Sequence, residues 1–383
     1  MLQLKPTSAD RHFPGLRSQV RAFLRDEISS GAMVPQCDSW VRGFDREFSR
    51  KLGQQGWLGL TWPTAYGGQA RSQAERFIVV EELLAVGAPV AAHWLAERQF
   101  GPSVLAHGTE WMKRNLLPPI ARGESVVAAC YSEPDVGSDL ASVKTRARRV
   151  EGGWRLNGSK IWSSHAHHAD LLVVLCRTGD MDGGKKHDGL SMLVVSLPCE
   201  GVTVRPIRLL TGKQHFSEVI FDDALVPHDR VLGEEGAGWK VITSDLAVER
   251  SGPERFMSSF PLFMAMIARA QSQPPDSSVR VALGELISRY WALRSMSLGI
   301  AGLMQEGRSP NTEAALVKDL GTRFEGDVVE VARRIFPSRP SMDSTDTFEK
   351  LLAQAVLHSP AFTLRGGTNE ILRGIVSRGL GLA

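Results

Sequence analysis

The sequence is poor in cysteine. Its 383 residues hold only Cys37, Cys130, Cys176 and Cys199, far apart and never in C-x-x-C spacing. That excludes a disulfide framework and a cysteine-rich zinc site, and it predicts ordinary reduced thiols in a cytoplasmic protein with no bound metal. Charge of one sign is also lacking: the net charge is +3, with no long run of Lys or Arg. A chain without a basic stripe is not expected to take nucleic acid as a partner. No apolar run is long enough to predict a membrane span, and the N-terminal "MLQLKPTSADRHFPGLRSQVRAF" lacks the uninterrupted apolar core of an export signal. Internal repeats and low-complexity segments are missing as well.

What is present reads as globular. Hydrophobic content is 43% and charged content 23%, ordinary values for a folded chain, and the length predicts two or three domains. From about Gly15 to Glu124 apolar residues recur at three- and four-residue spacing, as in "RSQAERFIVVEELLAVG". Between Val126 and Val231 the period becomes two, in "TRARRVEGGWRLNGSKIWSS", "ADLLVVLCRT", "LSMLVVSL" and "SEVIFDD". Gly152-Gly153 and Asn157-Gly158 read as turns between those strands. After "GEEGAGW" the helical spacing returns, with new segments near Ser278, Asn311 and Thr347, and breaks at Pro274-Pro275 and "FPSRPSMDS". The expected fold is α+β and multidomain: a helical N-terminal domain over 1–125, a central β-domain over 126–235 and a C-terminal helical bundle over 236–383.

Two stretches have the composition of a site. "CYSEPDVGSDLASV", Cys130 to Val143, places Ser132 and Ser138 in one polar loop with Gly137, which permits close backbone approach. Such a loop is either a capped turn or a seat for a polar ring edge or a phosphate. "NGSKIWSS" adds Trp162, Ser163 and Ser164. A tryptophan beside hydroxyls is either core or a platform for a flat heteroaromatic ring.

"ACYSEPDVGSDLASVKTRA" followed by "GWRLNGSKIWSS" resembles the central signature of the acyl-CoA dehydrogenase family, and "LRGGTNEILRGIVSRGLGL" resembles its closing signature. "GWLGLTWPTAYGG", "ERFIVVEELL", "GTEWMKRNLLPPIARGE" and "VPHDRVLGEEGAGW" are similar in the same order, so the resemblance spans most of the chain. It implies a helical N-terminal domain, a central β-domain and a C-terminal four-helix bundle. It also implies FAD as cofactor, an acyl-CoA thioester as substrate and an electron-transfer flavoprotein as onward acceptor. By the same resemblance Tyr131, Ser132, Trp162, Ser163, Ser164, Thr368 and Glu370 are cofactor-binding, whereas Ser138 and Arg250 contact the substrate.

The α-proton of a thioester is weakly acidic, so the family's reaction needs a polarised carbonyl, a carboxylate base and a hydride acceptor. Many members place the base immediately before the Gly-Thr of the closing signature, where this chain has Gly366. Isovaleryl-type and some bacterial members place it on the first helix of the C-terminal bundle. There "LAVERSG" offers Glu249, followed by Arg250 as in those members. The bland alternative is a solvated helix acid or a surface ion pair.

Two family phrases are missing: R-x-Q-F-G, from which a neighbouring subunit grips FAD, and Q-x-x-G-G-x-G, which holds the adenine end. The corresponding regions read "ARAQSQPPDSSVRVALGELISRY" and "STDTFEKLLAQAVLHSPAFTLRGGT". The resemblance thus implies half of an FAD site, and either a homo-oligomer or a heteromer with a related subunit. In the homo-oligomeric case "QPPDSSVR", or another segment with basic residues such as Arg280, is the candidate grip for the diphosphate. The expected activity is α,β-dehydrogenation to a 2-enoyl-CoA. Its rivals are a non-catalytic structural subunit, which has no need of Glu249, and a flavoenzyme of this fold with other chemistry on a thioester or a nitro compound.

Overall fold

The computed structural model describes residues 2, 4, 13–180, 185–250, 252–272 and 276–382, with the side chains of 245–249 excepted. The helices before the sheet are α1 (Pro14–Ser29), α2 (Ser39–Arg42), α3 (Arg46–Gln54), α4 (Gln73–Ala85), α5 (Ala91–Leu95), α6 (Gly101–His107) and α7 (Glu110–Ala121). The strands are β1 (Val127–Cys130), β2 (Arg146–Val150), β3 (Gly153–Ser164), β4 (Leu171–Arg177), β5 (Leu190–Ser196), β6 (Val202–Ile207) and β7 (Phe216–Pro227). After them come α8 (Gly238–Glu249), α9 (Phe260–Ser272), α10 (Ser277–Gln305), α11 (Asn311–Ile335), α12 (Thr347–His358) and α13 (Asn369–Gly379). Helix, sheet, helix is the order that the periodicity predicts. By internal contacts the chain forms two compact units, one of Met1–Phe44, Arg71–Val90 and Ala247–Ala383, the other of Asp45–Ala70 and Ala91–Leu246.

The second unit is built on a seven-stranded sheet of order β1-β4-β2-β3-β7-β6, with β5 paired to β4. Every residue of β4 is buried, and its run from Leu171 to Cys176 is apolar on both faces. Leu171, Val173 and Leu175 join Phe100, Met112 and Leu117 of the helices in one cluster. Leu172, Val174 and Cys176 face the other way, toward Trp154, Val219 and Phe221. The alternation follows from the two-residue repeat of a strand. Close packing of the helices uses Gly101: a Cβ there would lie 2.0 Å from the ring of the buried Trp62, so only glycine admits that contact. Two of the sheet's outer strands, β6 and β5, are poor templates for further pairing. β6 carries Arg205 and Pro206, and β5 is bridged on its other side by Val231 and Ala237.

One predicted turn is absent. Gly152 does turn the chain between β2 and β3, at φ 83°, but Asn157-Gly158 lies inside β3. The register against β7 shifts between Leu156 and Gly158, the Asn157 amide oxygen accepts from the Asp223 N–H at 2.9 Å, and a Cβ on Gly158 would lie 2.6 Å from the Thr145 hydroxyl. The dipeptide makes a bulge with close backbone approach rather than a hairpin.

In the first unit the first turns of α4 and α12 are capped by Ser72 and Asp346, the former in a reciprocal capping box with Glu75. α4 buries two acids, Glu81 and Glu82. Arg294 of α10 donates to Glu81 at 2.5 Å, and Arg21 of α1 donates to Glu82 at 2.7 Å. These charges are tolerable in the interior because each is paired. The helical spacing that returns after "GEEGAGW" is interrupted: α8 ends at Glu249 and Pro253–Arg255 form a short 3-10 turn before α9.

Candidate active site

The polar loop after β1 is a built structure. Tyr131 and Ser132 are half-buried. The Ser132 carbonyl accepts from the Ile161 N–H of β3 at 2.9 Å, and Glu133 and Val136 exchange backbone hydrogen bonds across a tight turn. Under the turn lies a pair that sequence reasoning missed. Lys160, fully buried, donates through Nζ to the Tyr131 carbonyl and to Glu133 Oε1, both at 2.9 Å. Glu133 also accepts from the N–H groups of Lys144 and Thr145 at 2.7 and 2.8 Å. Burial raises the Glu133 carboxyl, but the Lys160 ammonium and these hydrogen bonds outweigh it and hold the group below the usual carboxylate range. Arg177, also buried, donates to the carbonyls of Ala141 and Asp188 and fixes the far end of the loop. A lysine two positions before Trp162 and a glutamate next to Ser132 are the signals that could have revealed the pair.

β3 ends in a second irregularity, a register shift between Lys160 and Ser163. Within it Trp162 adopts φ 62°, in the left-handed region, an uncommon and costly backbone for a bulky residue. Trp162 is 53% exposed, and its indole stands edge-on to Phe216 of β7, ring centroids 5.8 Å apart. Ser164 beside it is half-buried. Ser163 is turned the other way: its side chain is buried and its hydroxyl donates to Cys130 Sγ at 3.4 Å. Its hydroxyl therefore faces the core, and only its backbone is left to meet a ligand. Ser138 sits exposed in the loop beyond Val136.

The remaining candidates belong to the first unit. Thr368 caps α13, its hydroxyl accepting from the Ile371 N–H at 3.4 Å, and Glu370 is exposed in the first turn. Gly366 and Gly367 precede them at φ 66° and 92°. Arg250 is buried and donates from Nε to the Gly366 carbonyl at 3.2 Å; buried Lys318 donates to the Gly367 carbonyl at 2.6 Å. Arg250 thus supports the closing turn. Glu249 is the last residue of α8, and its side chain lies outside the described residues. An acid at a helix C-terminus works against the helix dipole, so helix stability does not explain its presence. The segment around Arg280 is less suited to an anion than its sequence implies: Asp276 already occupies the N-terminus of α10, its carboxylate accepting from the Val279 N–H at 2.9 Å. Among the described residues no helix is long and apolar enough to cross a membrane, and no group of three His, Cys, Asp or Glu is placed to hold a metal.

Three consecutive family models match: acyl-CoA dehydrogenase N-terminal domain over residues 14–124, middle domain over 128–224 and C-terminal domain over 236–381. The chain belongs to the acyl-CoA dehydrogenase family, and it is accordingly an oxidoreductase of acyl-CoA dehydrogenation. A curated relative, acyl-CoA dehydrogenase IpdE1 of Mycobacterium tuberculosis, is 33% identical over 379 residues, covering 96% of this chain and 97% of that one. Among solved structures, the Tcur3481-Tcur3483 steroid ACAD matches with a TM-score of 0.86 at 28% identity, covering 100% of both chains. The ChsE4-ChsE5 complex from Mycobacterium tuberculosis matches at 0.81 and 28% identity, again over 100% of both.

The family implies FAD, and the described residues suit its ring system. An indole kept half in solvent on a strained backbone is an outlier that stability does not account for. The half-buried Ser132 and Ser164 add hydroxyls that can donate or accept at the polar edge of a flat ring.

Proposed function

We propose that the chain converts an acyl-CoA thioester to the 2-enoyl-CoA, with Glu249 as the base that removes the α-proton. The observation that supports this reading most is the exposed indole of Trp162, held on a left-handed backbone in a chain whose three parts all match the family. In this reading Trp162 packs on the isoalloxazine, Ser132 bonds its pyrimidine edge, and Ser164 stands near N5 with the Ser163 backbone beside it. Tyr131 lines the same seat, Thr368 and Glu370 supply polar groups near the cofactor, and Ser138 meets the pantetheine arm. Arg250 acts by holding the Gly366 carbonyl and so shaping the turn beside the substrate. Bound FAD supplies the acceptor for the β-hydride. The Glu249 carboxylate takes the proton, which must be accepted while the thioester carbonyl is polarised by hydrogen bonds.

The functional division is 1–125, 126–235 and 236–383. A heteromer with a related subunit supplies the phrases that this chain lacks, as the two-component names of its structural neighbours support. A steroid side-chain thioester is the substrate class that the steroid ACAD neighbour favours, and an electron-transfer flavoprotein is the onward acceptor.

Glu249→Gln keeps the shape but cannot accept the proton at neutral pH. Flavin bleaching by an acyl-CoA, followed anaerobically in a stopped-flow instrument, is expected to slow by about 10²-fold or more. An undiminished rate removes Glu249 from the role. If no acyl-CoA in a panel of fatty, branched and steroid thioesters bleaches the wild-type flavin in any assembly, the chain is a structural subunit.

A further inference from the structure

The closing turn is anchored from a distant part of the sequence. Asp38, fully buried, sits at φ 58° before α2, and its N–H donates to the Ser258 carbonyl at 2.7 Å. Its carboxylate accepts from Arg42 Nε at 2.8 Å and, on the other oxygen, from Arg365 Nη1. Arg365 is the residue immediately before Gly366. Its guanidinium also donates to the Ser258 hydroxyl at 2.7 Å and lies over the rings of Trp40 and Phe362, at 4.3 and 5.1 Å. A planar fork bonded through both terminal nitrogens and stacked on its face has little freedom, although its buried Nε has no partner.

A second carboxylate, Glu325, stands 3.8 Å from Arg365 but is a poor counter-charge. Burial, which outweighs the Arg365 charge and the hydrogen bonds from Ser258, pushes it up to about 7. Asp38 differs: burial raises it, but Arg365 and Arg42 outweigh that and hold it below the usual range, with His358, Glu325 and Cys37 the other titratable groups facing it. Asp38 is therefore the fixed negative charge of the cluster. Around the turn stand three buried or nearly buried cations, Arg365, Arg250 and Lys318, of which the latter two donate to the Gly366 and Gly367 carbonyls.

We propose that Asp38 is a positioning residue for the reaction: it holds Arg365, and through Arg365 it fixes the Gly366–Gly367 turn that presents Thr368 and Glu370. The inference rests on the reading of Thr368 and Glu370 as cofactor-facing groups.

Asp38→Asn tests it, because asparagine suits a left-handed backbone and removes only the charge. In hydrogen exchange read by mass spectrometry, amides 366–372 are expected to exchange about tenfold faster than in wild type, with α10 unchanged. The FAD dissociation constant of flavin-stripped protein, in whichever assembly binds FAD, is expected to rise by a similar factor, with a shift of the flavin's visible band. Wild-type exchange, affinity and band position overturn the proposal. So does faster exchange spread equally over α10, which marks a merely structural residue. Should Asp38→Asn fail to fold, Arg365→Lys keeps the charge but loses the fork, and the same comparison decides. Wild-type protein that binds no FAD in any assembly overturns the proposed function instead, while the exchange measurement still judges the role of Asp38.

Discussion

Replacing Lys160 by methionine removes the ammonium beneath the polar loop and leaves the rest of the side chain's volume. In the wild type that ammonium is fully buried, and it serves the Glu133 carboxylate and the Tyr131 carbonyl at once, both at 2.9 Å. Without it Glu133 retains the two backbone N–H groups of Lys144 and Thr145 but becomes a buried charge with no counter-ion. Breaking one side of a buried pair costs about 3–5 kcal/mol. Lys160→Met/Glu133→Gln removes both charges and is expected to be less destabilised than the sum of the singles, by about 0.5–3 kcal/mol of coupling. Urea unfolding followed by circular dichroism measures all four proteins. The pH dependence gives a second check. The folded value of Glu133 is depressed, so its contribution is present above the unfolded value of about 4.3 and is lost as pH falls through the folded one. Wild type should therefore lose stability faster than the double variant between roughly pH 5 and 3. A single variant as stable as wild type, or additive singles, would refute the reasoning.

Trp162→Ala is expected to weaken FAD retention more than it lowers the melting temperature of flavin-free protein, because the indole is half exposed; comparable losses in both would place the ring in the core. Expressed alone, the chain is expected to retain FAD poorly, with a homologous partner bearing R-x-Q-F-G and Q-x-x-G-G restoring it; a homomer that carries stoichiometric flavin through gel filtration refutes this. Burial pushes the thiols of Cys37, Cys130 and Cys176 up to about 12, about 11 and about 12, whereas Cys199 is only partly buried. An alkylating reagent should thus modify Cys199 first, read by mass spectrometry, and reach the other three only on unfolding.

The order of helices and strands was legible because burial imposes its period directly on the sequence: β4 is apolar from Leu171 to Cys176, and α10, α11 and α12 begin within a residue of where the spacing resumes. Asn157-Gly158 was misread because local turn chemistry looks the same whether the two residues close a hairpin or bulge within a strand, and only the partner β7 decides. The serines and tryptophan of the site could be named from their motifs, but not the inward turn of Ser163, which depends on a register shift. Lys160 and Glu133 left a signal only in their places beside Trp162 and Ser132, and Asp38 and Arg365 left none. A buried charge is recognisable only together with its partner, and Asp38 and Arg365 are 327 positions apart in the sequence.

The sheet's edges bear on how such a chain assembles. β6 carries Pro206, which has no N–H to donate, next to Arg205, and the far side of β5 is bridged by Val231 and Ala237. Neither β6 nor β5 invites a foreign strand to extend the ladder, and β1, paired with β4, is four residues long. Where two such subunits associate, β5 and β6 offer side chains rather than the backbone hydrogen bonds that any extended peptide could supply. Partner choice is then written in surface residues, which can diverge between gene copies without disturbing the sheet, so a duplicated subunit can become a dedicated partner by surface substitutions alone.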